Sequence, residues 1–458
     1  MAIQRVRECK VCNIEFTTSQ ISAKYCPDHR KASSKKPKSD RKLATATNRV
    51  LRISQSDEWM WIARECKRAG TVECLQGVDI VSLLAVHKAK SKTGSYNNVT
   101  KKSQFHLCHI SPARGKNSIG LLHHLNLFIA GSLPNQKFSN KSYEDKGLCI
   151  PKNNLKAKWK ISDKASIGTI LKKVVDYLGP VLIEYAKENP IDTSARFGLA
   201  KWIIKNDPTN NLPLSKLEAK STTELRALRA DVEQKEVFSI NYSAKRSFIV
   251  LLDECQRLSA QLPTGEHQSN IAFMVPVLQV AIAWLSRQQD QQGLAAVLSG
   301  AYGVKWEPLQ LRDGMNASSF RDWINFTAFE ALQGAPVDRK AIRSKLSEYL
   351  EVTSLTPDYS GSNSSIQKHY ADNYSLFAEQ VPVIKDAIIR LGLVDKIMLA
   401  EEIARAEVAA YEESMFANFP AQQCENEFDY STTHYTIEDD YVPNPHLVEH
   451  KEPVFCPF

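Results

Sequence analysis

The 458-residue chain has little that would take it to or through a membrane. No apolar run nears the ~20 residues needed to span a bilayer. The first residues, MAIQRVRECKVC, lack the apolar centre of a secretory signal, so export is not expected. No Walker A loop, GxGxxG or GxSxG is present, which argues against nucleotide hydrolysis and acyl transfer. No segment recurs at a fixed period, so a solenoid is not supported. Of ten cysteines, Cys66, Cys74, Cys108, Cys149, Cys255, Cys424 and Cys456 have no metal-pair spacing. They read as core or incidental thiols in a reducing compartment rather than a disulfide frame. Acidic residues are scarce in one part only. Residues 1–160 hold 11 Asp+Glu against 30 Lys+Arg, and residues 161–458 hold 40 against 29.

That asymmetry marks the front third as the expected nucleic-acid face, because Lys and Arg displace condensed counterions from phosphates. Hydrophobic residues make up 43% of the chain, enough to bury a core over two to four domains. The expected fold class is mainly α, with a small Cys/His module in front. Residues 1–31 form that module and 32–43 a basic linker. Residues 44–160 read as one domain, 161–351 as a helical domain and 352–423 as a helical hairpin region. An acidic, aromatic tail occupies 424–458 and reads as a solubilising end, with docking as a second use. Helices are expected over about 45–69, 78–90, 164–187, 194–206, 213–235, 241–260, 269–291, 317–334, 337–351, 374–392 and 394–416. Spacings such as Ile167–Ile170–Leu171–Val174–Val175–Leu178 carry that reading. Polar loops are expected over 91–104 and 352–373. The adjacent carboxylates Asp253–Glu254 and Asp439–Asp440 read as solvent-facing pairs.

Cys9 and Cys12 form CxxC, and Cys26 with His29 forms CxxH. Two such pairs within 21 residues suit one tetrahedral zinc, with Zn–S bonds of about 2.3 Å. So short a segment cannot build a stable core alone, so the metal would supply folding energy. Four protein ligands leave no open position, which makes the expected Zn²⁺ structural.

Residues 105–141 read FHLCHISPARGKNSIGLLHHLNLFIAGSLPNQKFSNK. His109 precedes Asn126 by 17 residues, and Asn135 follows 9 later, on a short basic stretch. This stretch resembles the HNH, or ββα-metal, nuclease superfamily. His109-Ile-Ser-Pro112 is similar to its HIxP-like run and Asn126-Leu127 to its NL step. The N-terminal Cys cluster, the basic linker and Asn135-Gln136-Lys137 also resemble the lambdoid-phage Rap/NinG recombination nucleases. The resemblance covers about 35 residues. It implies a ββα core between the zinc module and a large helical C-terminal region. His109 would be the general base that activates water, and Asn126 the orienting residue. Asn135 would ligate a catalytic Mg²⁺ or Mn²⁺. Three residues before the base, where that group has an acidic ligand, this chain has His106, and a neutral imidazole can also ligate. Cys108 stands directly before the base. His123 and His124 read as phosphate contacts or structural residues.

Lys35, Lys36, Lys38, Arg41 and Lys42 in the linker, with Arg114 and Lys116, are the candidate phosphate contacts. Lys137, Lys141, Lys156, Lys158 and Lys160 continue that set. Trp159 and Tyr143 lie among them, either to stack on unpaired bases or to anchor a solvated face. The implied function is a metal-dependent, phage-encoded endonuclease in the host-cell cytoplasm. Its partner would be DNA, branched, single-stranded or recombining, and a protein could dock on the helical region. The alternative is a non-catalytic zinc-containing nucleic-acid binder, a regulator or inhibitor of a host enzyme built on a degenerate HNH core.

Overall fold

A computed structural model describes residues 4–33, 38–93, 96–97, 102–139, 141–236, 247–288, 306–357 and 376–418. Lys35, Lys36, the Lys38 side chain, most of the loop expected over 352–373 and the acidic tail lie outside the described residues.

The described residues are mainly helical. The chain opens on an antiparallel hairpin, β1 (Arg5–Glu8) and β2 (Glu15–Thr18), followed by α1 (Pro27–Ser33). Helix α2 (Lys38–Val50) begins inside the stretch whose composition marks a linker. Helix α3 (Asp57–Ala69) stops at Gly70, where φ is +78° and the N–H bonds back to Cys66 and Lys67 carbonyls. Glycine reaches that left-handed region without a Cβ penalty. The Asp79 carboxylate caps α4 (Ile80–Lys92) by accepting from Val81 and Ser82 N–H groups. Where a polar loop was expected, β3 (Tyr96–Asn97) pairs with β4 (Lys102–Ser103).

The strands β5 (Phe105–His109), β6 (Ser118–Gly120) and β7 (Leu127–Gly131) come next, then α5 (Ser132–Phe138) and β8 (Cys149–Pro151). β5 pairs antiparallel with β7, placing His109 opposite Leu127, and β6 pairs with β8. The helix expected over 164–187 is broken into α6 (Ile167–Leu178) and α7 (Pro180–Glu188). Gly179 turns there at φ +44° and Pro180 has no N–H to continue the ladder. After α8 (Ala195–Asn206), the expected 213–235 helix divides into α9 (Leu214–Ala219) and α10 (Thr222–Glu233). Ser221 and Glu224 form a capping box at the break. Then follow α11 (Ser247–Gln261), α12 (Glu266–Gln288), β9 (Leu309–Leu311), α13 (Ala317–Gln333), α14 (Arg339–Tyr349), β10 (Leu350–Val352), α15 (Leu376–Leu391) and α16 (Lys396–Asn418). Strands β9 and β10 pair.

Met1–Leu399 make one compact unit with two main cores. In one, Trp59, Ile62 and Leu83 pack with Ile119, Leu127 and Ile170. In the other, Cys108, Ile110, Phe128 and Ala130 pack among Phe248, Trp284, Phe320 and Phe329. Leu127, Phe128, Ile129 and Ala130 of β7 are all buried, which is why its sequence is an unbroken apolar run. Burying a side chain such as Phe128 is worth about 1.5–3 kcal/mol. Among the described residues, one helix segment, Glu266–Leu285, is long and apolar enough to cross a membrane, but most of it is buried in the protein. A second unit starts at Ala400. Its described part is helical, with Arg405 paired to Glu402 at 2.8 Å.

Candidate functional site

The β1–β2 hairpin and α1 bring together four side chains that could ligate a metal. Cys9 follows β1, and its carbonyl accepts from Asn13 N–H at 2.8 Å, closing a tight turn over Cys12. Cys26 stands just before α1, and its carbonyl accepts from His29 N–H, which puts His29 on the first turn. The ligand atoms of Cys9, Cys12, Cys26 and His29 all lie within 4.8 Å of one another. Cys26 Sγ is 3.2 Å from His29 Nδ1 and 3.8 Å from Cys12 Sγ. Tetrahedral sulfurs about 2.3 Å from one zinc would sit about 3.8 Å apart, so three thiolates and an imidazole fit that ion. Burial opposes ionisation of Cys9, but the backbone amides of Cys26, Cys12 and Val11 outweigh it and bring the thiol to about 6.

The second constellation surrounds a groove of about 350 Å³. Arg68, His109, Pro112, Arg114, Asn135 and Lys141 are among its lining residues. His109 ends β5, and Asn135 is on α5 directly after β7. Burial, and then the Arg68 guanidinium, lower the His109 imidazole to about 3, so it is neutral at physiological pH. Arg68 Nη2 lies 3.1 Å from Nδ1 and 3.3 Å from Nε2 of His109. The two ring lone pairs diverge in the ring plane, so a nitrogen nearly equidistant from both sits over the face of the ring. Glu65 holds the same guanidinium at 2.6 Å, and Arg114 Nε donates to the Arg68 carbonyl. His106 is not among the groove's described lining residues. It meets the site through Asn135, with Nδ1 3.0 Å from Asn135 Nδ2. Burial, and then Lys90, lower the His106 pKa.

Asn126 is fully buried just before β7. Its Oδ1 accepts from Ser111 N–H (2.9 Å) and Leu148 N–H (3.1 Å). Its Nδ2 donates to the carbonyls of Ser111 (3.1 Å) and Leu121 (2.8 Å). It therefore ties down the loop that leaves β5 behind His109. Cys108 is buried under the sheet with its thiol pKa raised by that burial, so it offers the groove no thiolate.

The structure thus gathers His109, Asn135, Arg114 and Lys141 in one groove. Lys116, Lys156, Lys158 and Lys160 are exposed but do not line it. Lys137 lies over the Phe326 ring, and Lys42 pairs with Glu188. Arg41 is exposed on α2. Trp159 packs edge-on against Tyr177 and Tyr143 lies near Phe138, which makes them anchors of the fold. His123 and His124 stack on each other, and His123 Nδ1 accepts from Leu125 N–H, a structural role.

One reading of the carboxylates is corrected. Glu254 is buried, not solvent-facing, and its Oε2 accepts from Ile129 N–H on β7 at 3.0 Å. Arg68, Ser139 and Gln333 also line the groove and had no signal in the local sequence. Compared with known proteins, the chain matches no family model, no curated protein and no solved structure.

Proposed function

We propose that the protein is a metal-dependent endonuclease of HNH type that cuts DNA. The observation that carries this reading is the convergence of His109 and Asn135 on one arginine- and lysine-lined groove, behind a loop pinned by Asn126. The order β5, β6, buried Asn126, β7 and the short helix α5 supports the ββα-metal reading. In this reading His109 takes the proton of the attacking water as that oxygen bonds to phosphorus, which requires Arg68, whose charge lowers the basicity of the imidazole, to move from the ring to the phosphate. The phosphorus–oxygen bond to the leaving nucleotide breaks, and Arg68, Arg114 and Lys141 offset the charge that develops. Asn135 would be the groove's ligand for a divalent ion such as Mg²⁺ or Mn²⁺, which would supply Lewis-acid polarisation of the phosphate. His106 reaches the site only through Asn135, and no carboxylate is among the described groove-lining residues to complete the set. The Cys9–Cys12–Cys26–His29 cluster would hold zinc for structure alone. The basic front third suits a nucleic-acid partner, and the resemblance to the lambdoid-phage recombination nucleases implies branched, single-stranded or recombining DNA in a phage-infected cell's cytoplasm.

A second reading keeps the groove as a phosphate-binding surface without cutting. It is favoured by the lack of a carboxylate among the described groove-lining residues and by the Arg68 cation over His109.

The test is cleavage of plasmid, single-stranded and branched DNA with Mg²⁺, Mn²⁺ or EDTA, for the natural protein and His109→Ala. Metal-dependent cutting that disappears in His109→Ala is the expected result. Tight, salt-sensitive binding without cutting would transfer the assignment to the binding protein.

A further inference from the structure

Two helices far along the chain grip the strand pair that carries His109. On α11, Glu254 accepts from Ile129 N–H, while Arg257 donates to the carbonyls of Leu127 (2.7 Å) and His124 (3.1 Å). Glu254 and Arg257 also pair with each other at 2.7 Å. These contacts occupy the edge of β7 away from β5. On α13, the buried Gln333 side chain donates from Nε2 to the carbonyls of His109 (2.8 Å) and Ile110 (2.6 Å), 224 and 223 residues away. Those two carbonyls lie where β5 ends and the loop begins. The seat of Gln333 is itself constrained. Gly334 ends α13 at φ +102°, and a Cβ there would meet Lys146 Cβ at 2.7 Å. Phe329, one turn earlier, packs on both Phe128 of β7 (5.4 Å) and Phe138 of α5 (5.5 Å).

We infer that the helical region is part of the unit that forms the groove, with Gln333 as a positioning residue for His109. One amide bridging two consecutive carbonyls fixes the peptide plane that aims the imidazole. The effect on rate rests on the nuclease reading, whereas the effect on the strand end does not.

The experiment uses the full chain with Gln333→Met, which keeps the side chain's length and removes the donor. Amide hydrogen exchange is followed in peptides covering 105–115 and, as controls, 4–33 and 195–206. Exchange at Ile110 and Ser111 should quicken at least about tenfold, with the controls unchanged. In the cleavage assay, kcat should fall about ten- to a hundredfold while KM for DNA stays within about threefold. Exchange in 105–115 within about twofold of the natural protein overturns the inference, as does unchanged kcat in a cutting enzyme. If the natural protein does not cut at all, the nuclease reading fails, and the exchange result still decides whether Gln333 positions the strand end.

Discussion

A single buried amide, Asn126, satisfies two N–H groups and two carbonyls around the loop behind His109. Removing it strands those groups, at about 1–3 kcal/mol for each one left unpaired. Asn126→Ala should therefore lower the melting temperature by several degrees, read by calorimetry. A variant that melts with the natural protein would show that water replaces the amide freely. His87 stacks on Trp61 at 4.2 Å. Its burial, with Lys90 and Arg64 nearby, lowers its pKa to about 4. Because the folded value lies below the unfolded one, the unfolded chain takes up the proton first. This stability is whole above about pH 6.5 and declines as pH falls towards 4. The urea midpoint of the natural protein should fall between pH 7 and 5, and that of His87→Phe should fall less. Equal slopes would remove His87 from the acid response. The roles of such residues are only partly written in the chain: Asn126 stands out by its place before an apolar run, but nothing local says that His87 is stacked.

At the scale of elements, the Cys/His module has almost no core of its own. Cys9, Phe16 and Cys26 are its buried hydrophobic residues. We therefore expect its order to depend on a bound metal. We expect one zinc per chain by elemental analysis. A strong chelator, or Cys26→Ser, should release it and abolish amide protection in 4–33 while leaving 195–206 protected. Full protection of 4–33 in metal-free protein would show that the hairpin holds itself. This cluster was legible because its four ligands lie within 21 residues, so spacing alone carries the geometry. The breaks at Gly179–Pro180 and at the Ser221–Glu224 box also have local signals, a Gly-Pro step and a capping box, which outrank the apolar periodicity running through them. The β3–β4 pair, two residues on each side, is too short to leave a strand pattern.

Across the whole molecule, one face of the β5–β7 pair belongs to a core built from helices beyond residue 247. A chain ending at residue 236 would expose Cys108, Ile110, Phe128 and Ala130 to water. It should bind a hydrophobic dye strongly and lose the near-ultraviolet circular dichroism of packed aromatics. A truncated chain with native-like near-ultraviolet signal and no dye binding would mean that the front half folds alone. The Cys/His cluster, the helical content and the basic front third were determined by the sequence itself, because ligand spacing, apolar period and charge are properties of neighbours along the chain. Only the tertiary structure decided that Arg68 lies over His109 from 41 residues away, that Glu254 caps β7 from 125, and that Gln333 holds the end of β5 from 224. Such contacts depend on how packed elements meet, and a hydrogen bond between distant residues imposes no pattern on the residues beside either partner.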